Sequence, residues 1–222
     1  MTWLNSARNL LTRARLTLVS PSKAPEVAKL VENKTEQELY GEAIIAMARE
    51  EVGVREIPMN SNRGPRVEEY QRVVGEWAVG GHWCASFVSA MCKWAAEALQ
   101  EVTNVPITGG VTRMWRKSKE RGLLCYTPED VITGRVEIKP GDIFIQCHDL
   151  DKVRRIRNFE EISAPSHTGL CTGEYNRRTK EYSTIEGNSN VAGSRNGGGV
   201  YARSRNLVDN KLVGFIRPEL KK

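Results

Sequence analysis

The hydrophobic period changes once along this chain, and that change limits the folds open to it. From Glu36 to Glu120 apolar residues return at steps of three and four, the period of a helix with one buried face. Tyr40, Ala43, Ile44, Met47 and Ala48 line the first such segment, which Gly53 ends. The run IPMNSNRGP then crowds Pro58, Asn60, Asn62, Gly64 and Pro65 into a turn. A second helix is predicted from Arg66 to Trp77, with Val67, Tyr70, Val73, Val74 and Trp77 on one side. After the Gly80-Gly81 break a third begins near Cys84 and turns Phe87, Val88, Met91, Ala95 and Leu99 inward. A fourth, from about Thr112 to Glu120, is basic outside and keeps Met114 and Trp115 for burial.

Beyond that point short β-type runs take over, at Gly141–Cys147, His167–Thr172, Tyr182–Glu186, Gly199–Arg203 and Leu212–Ile216, separated by Gly, Asn and Ser clusters. Helices first and strands afterwards predict an α+β fold, N-terminal helices packed on a C-terminal antiparallel β-sheet. The polar stretch HDLDKVRRIRNFEEISAPS between Cys147 and His167 is long enough to form a flap beside a site.

The 222 residues suffice for one packed domain and a tail. Residues 1–38 read as a basic N-terminal arm or linker, and 39–222 as the domain that carries the chemistry. Arg8, Arg13 and Arg15 interrupt the apolar core that a secretory peptide needs, so the chain is expected to be made in the cytoplasm without a signal peptide. The longest run lacking Lys, Arg, Asp and Glu is the 16 residues from Trp77 to Cys92, too short for a membrane span, and no stable membrane insertion is expected. Five cysteines without a CxxC pair predict free thiols, and with three histidines they show no zinc-ligand spacing, so no metal is expected. A net charge of +6 suits polyanions of several kinds. Zinc-finger spacing, RNP aromatics and a helix-turn-helix signature are all missing from the sequence, which argues against nucleic acid as a partner.

Cys84 is the most informative position. At the first turn of an apolar helix, unpaired N–H groups and the helix dipole favour a thiolate, although most free cysteines are simply small buried hydrophobes. A cysteine nucleophile needs a base, and the base needs an orienting group. Among His82, His148 and His167, the last opens a strand, and Glu186 and Asn188 at the end of the next strand are close enough in sheet topology to hold its ring.

The ordered set GGHWCASFVS, PGDIF, SHTGL, TIEGN and GFIRP resembles the CHAP family, cysteine- and histidine-dependent amidohydrolases and peptidases of the papain-like superfamily. AREEVGVREIPMNSNRGPRVEEYQRVVG resembles the helix-and-turn region ahead of the cysteine in that family, so the likeness covers roughly residues 40 to 218. It implies a papain-like CHAP fold, with Cys84 as nucleophile, His167 as general base and acid, Glu186 orienting the imidazole, and Asn188 as a further polar residue beside them. The substrate class implied is bacterial peptidoglycan, cut between muramic acid and L-alanine or within the stem or cross-bridge peptide. Asn60, Asn62, Tyr70 and Trp83 are expected to line the cleft, while Trp77 is expected mostly to pack. The stretch VVGEWAVGGHW contains no Asp, so the calcium loop of some phage relatives is not expected, nor any other cofactor. The resemblance points to a monomeric phage lysis or virion enzyme, or to a delivered toxin accompanied by an immunity protein, acting on the wall after release or delivery. The alternatives are a papain-like amidohydrolase on a non-wall amide and a non-catalytic basic wall-binding module.

Overall fold

The computed structural model describes residues 34–160, 163–190 and 197–221; the basic arm over 1–33 lies outside the described residues. Helix α1 (Glu36–Glu50) starts at Thr35, whose hydroxyl accepts from the Glu38 N–H while Glu38 reaches back to the Thr35 N–H. The 38/39 boundary read from the sequence therefore falls inside α1. Helix α2 (Pro65–Val74) begins on a proline suited to the first helical position and stops at Gly75, whose φ of 145° takes the chain out of the helix. A single 3₁₀ turn, Glu76–Ala78, follows, so Trp77 lies off the α-helix that its spacing predicted.

Helix α3 (Cys84–Ala98) is the central helix, buried from Cys84 through Cys92. It packs on α1 and α2 on one side and on the sheet on the other. Helix α4 (Val111–Glu120) buries Met114 and Trp115 and turns Arg113, Lys117 and Lys119 outward, as its pattern predicted. Among the described residues the sheet has six strands: β1 (Cys125–Tyr126), β2 (Ile143–Cys147), β3 (Ser166–Asn176), β4 (Glu181–Ser189), β5 (Gly199–Asn206) and β6 (Leu212–Ile216). They lie in the order β1-β6-β2-β3-β4-β5, each pair antiparallel. This is an α+β arrangement of helices on an antiparallel sheet.

Alternation along the strands makes two apolar layers. Ile143, Ile145, Leu170, Ile185, Val200 and Ile216 join α1, α3 and α4 in the main core. Phe144, Cys171, Tyr182, Leu212 and Phe215 form a second cluster with Tyr126, Val131 and Ile138. Two of these residues come from elements that the period did not reveal, β1 and the five-residue helix α5 (Pro128–Ile132). The second layer is fixed at one end by buried Asp142, which accepts from Tyr126 Oη at 2.6 Å and from Arg217 Nε and Nη2 at 3.0 and 2.9 Å.

The polar stretch after Cys147 is not a free flap. Its first half is helix α6 (Leu150–Arg157), with Val153 and Ile156 buried against β2 and β6. Trp115 Nε1 donates to Ile156 O at 2.9 Å, and Arg157 donates to the carbonyls of Val213 and Leu212 at 2.9 and 2.7 Å. Val153 and Ile156, three apart among charges, supply the apolar stripe that docks it. Truncating Ile156 to alanine is expected to cost about 2–5 kcal/mol in urea denaturation. An unchanged midpoint would mean that α6 is not part of the packed unit.

Candidate active site

The site is built where the N-terminus of α3 meets β3 and β4. Gly187 permits that approach: a side chain there would collide with Phe87 and Trp83. Helices α1 and α5 begin with threonine capping boxes, whereas no side chain caps α3, whose N-cap residue is Trp83. The first-turn N–H groups, beginning with that of Cys84, thus face the site without a side-chain acceptor among the described residues. Cys84 is 4% exposed at the first helical position.

His167 is wholly buried on β3 and shares a strand face with Cys171, beside Phe144, whose ring centroid is 5.9 Å from its own. Thr184 and Glu186 on β4 share the parity of Tyr182 and therefore stand on the same face. His167 Nε2 and Glu186 Oε2 are 2.9 Å apart. An ionised carboxylate only accepts, so Nε2 carries the hydrogen and Nδ1 is left to face a proton donor. Among the described residues Nδ1 is buried without a regular hydrogen bond, and the Cys84 thiol is the neighbouring group that acts on the ring from the helix. Burial of the ring opposes its charge, but the hydrogen-bonding and charge of Cys84 and Glu186 outweigh it and raise His167 to about 9.

Glu186 accepts from Thr184 Oγ1 at 2.7 Å, Ser189 Oγ at 3.2 Å, Arg205 Nε at 2.7 Å and Arg205 Nη2 at 2.6 Å. Burial alone would push its carboxyl up; the Arg205 and His167 contacts overcome that and hold it well below the usual carboxylate range. Room for the Glu186 stem comes from Gly169 of the SHTGL motif, where a Cβ would stand 2.7 Å from Glu186 Cγ and 2.8 Å from Phe144 Cε1.

Of the eight residues singled out from the sequence, the structure gathers Cys84, His167 and Glu186 into one chain of interactions. Asn188 is adjacent but otherwise engaged. Buried, with φ of 52°, in the amide orientation that suits its neighbours it donates to Gly197 O at 2.7 Å and accepts from the Trp83 N–H at 3.1 Å. It ties the residue before Cys84 to the connection after β4.

Trp83 and Tyr70 do not line a cleft. Both are fully buried and stacked, with ring centroids 5.7 Å apart. Trp83 Nε1 donates to Glu56 Oε1 at 2.8 Å, and Tyr70 Oη donates to Glu51 Oε2 at 2.5 Å. Large amphipathic rings near a nucleophile are consistent with either packing or binding, and here packing uses both ring and polar tip. Asn60 and Asn62 adopt left-handed φ of 62° and 54°, the conformation their turn requires. The Asn62 N–H donates to Glu56 Oε2 and its carbonyl accepts from Gln71 Nε2, so its backbone braces the loop ahead of Cys84. Trp77, by contrast, is 72% exposed, its indole packed over Gly75 and reaching toward Gly109.

Sequence reasoning missed Glu56, Thr184, Ser189 and Arg205. Thr184 and Ser189 flank Glu186 within TIEGNS and were open to notice; Glu56 and Arg205 reach their partners only through the fold. Among the described residues no group of three or more potential ligand side chains is placed to hold a metal ion. No helix of the described residues is long and apolar enough to cross a membrane. No family model matches the chain, and neither a curated protein nor a solved structure does.

The raised proton affinity of His167 has a direction that can be checked. Its ring should remain protonated through neutral pH and release its proton near 9, above the ordinary value of about 6.5. Cys84→Ala removes one of the groups that raise it, so the midpoint should move down, as read by ¹⁵N NMR of the imidazole. A midpoint that does not move would place the thiol too far away to act on His167.

Proposed function

We propose that this protein is a cysteine hydrolase that cleaves an amide bond of bacterial peptidoglycan. The observation that carries the chemistry is the Cys84–His167–Glu186 arrangement: a thiol at an uncapped helix start, an imidazole beside it, and a buried carboxylate on the far ring nitrogen. The substrate class and the papain-like CHAP fold rest on the ordered motifs from GGHWCASFVS to GFIRP.

Proton transfer from the Cys84 thiol to His167 Nδ1 gives a thiolate and an imidazolium. The sulfur attacks the amide carbonyl carbon, and the C=O electron pair moves to oxygen. The N–H groups at the start of α3 face that oxyanion, where fixed donors do most for the barrier. As the C–N bond breaks, His167 returns its proton to the leaving amine and Cys84 holds the acyl group as a thioester. Water then attacks the thioester with His167 as base, the C–S bond breaks, and the released thiolate recovers the proton while a carboxylic acid departs.

Digestion of purified peptidoglycan by the wild type and by Cys84→Ala, with mass spectrometry of the released fragments, tests the reading. Wild type should release soluble fragments, and Cys84→Ala should be slower by about a thousandfold or more. A freed muramic acid carboxyl would assign an amidase; a new amino terminus within the peptide would assign an endopeptidase. Equal release by both proteins would exclude Cys84 as nucleophile. No release from walls of several chemotypes would exclude the wall substrate, leaving the triad to another amide.

A further inference from the structure

Behind the three residues of the site stands a fourth charged group that the mechanism does not use. Arg205, on β5, sends Nε and Nη2 to the two separate oxygens of Glu186, at 2.7 and 2.6 Å, a parallel two-point grip. The pair is out of water, with side-chain exposures of 14% for Arg205 and none for Glu186. The guanidinium also lies 5.4 Å from the ring centroid of Phe144, the same ring that stands beside His167. Thr184 and Ser189 complete the shell, so each carboxylate oxygen meets at least two donors.

We propose that Arg205 is a positioning residue for the Cys84–His167 pair: its grip keeps Glu186 ionised and aimed, so that His167 holds its ring hydrogen on Nε2 and offers Nδ1 to the thiol. The inference rests on the cysteine-hydrolase reading of the same site and deepens it. A carboxyl group buried among hydroxyls and a neutral imidazole, with no cation, favours its protonated form. Protonated, Glu186 would donate to Nε2 rather than accept from it. The ring hydrogen would then sit on Nδ1, facing Cys84, and the base would be blocked. A guanidinium prevents this in a way that an ammonium does not, because its planar fork fixes both oxygens at once. The plainer alternative is an ion pair that merely joins β4 to β5.

The two are separated by Arg205→Gln and Arg205→Lys in the full chain. Three quantities are read: the His167 tautomer by ¹⁵N NMR, the pH profile of Cys84 alkylation by iodoacetamide with peptide mapping, and thermal stability. At pH 6 the wild-type ring is expected as the imidazolium, with hydrogens on both Nε2 and Nδ1, and Cys84 is expected to react. Arg205→Gln should leave a neutral ring with its single hydrogen on Nδ1 and slow alkylation at pH 6 by about tenfold or more, with the acid limb displaced upward by one unit or more. Arg205→Lys should fall between the two, and it serves as the folded comparison if the glutamine variant does not fold. Retention of the wild-type ring protonation and profile in variants that are only less stable would overturn the proposal and leave the plain ion pair. Faster alkylation at pH 6 would also overturn it, since Arg205 would then act only by opposing the imidazolium charge. A wild-type Cys84 inert at pH 6 would instead sink the hydrolase reading, while the tautomer spectra would still decide what Arg205 does.

Discussion

A carboxylate with no exposure to water survives only where the protein replaces the water, and Glu186 is held in that way. Arg205 neutralises it, Thr184 and Ser189 donate to it, and His167 occupies the remaining direction. Much of the local architecture follows from this one group. Gly169 is small so that the Glu186 stem can pass, and β5 must pair with β4 so that Arg205 arrives. The imidazole is fixed on the side of the carboxylate and leaves its other nitrogen toward α3. Such an assembly is costly to break at any member, since removing one partner strands a buried charge.

The helix side of the site is shaped by a different constraint. An uncapped helix start is a cost that threonines spare α1 and α5 but that α2, α3, α4 and α6 all bear. At α3 the cost is accepted, and the surrounding loops are braced instead. Glu56 takes the Trp83 indole N–H, Asn62 and Gln71 tie the turn before α2 to the Gly81 carbonyl, and Asn188 takes the Trp83 backbone N–H. Rigid support beneath a reactive group lets a buried thiol and imidazole stay in register when their charges change.

The readings that missed share a physical origin. Trp83 and Tyr70 sit next to a nucleophile in the chain, yet their rings stack on each other and their polar tips bond to Glu56 and Glu51, partners 27 and 19 residues away. The charges of LDKVRRIR hid a helix, because its burial depends on only Val153 and Ile156 and on carbonyls offered by β6. Gly75 ended α2 three residues before its periodicity did, and that freed Trp77 to lie open beside Gly109.

The sequence by itself determined the order of the first four helices and the five longer strands, the placement of Cys84 at a helix start, and His167 and Glu186 on neighbouring strands. These are local matters of period, turn chemistry and strand adjacency, and each is written within a dozen residues or so. Only the tertiary structure decided that Glu186 would be held by Arg205, that Asn188 would brace Trp83, and that two aromatic residues would serve the core and not the cleft. Those outcomes depend on which buried donor meets which buried acceptor after the layers close. Composition and spacing carry no record of that pairing, because a buried polar group can be satisfied by any partner the fold brings within reach.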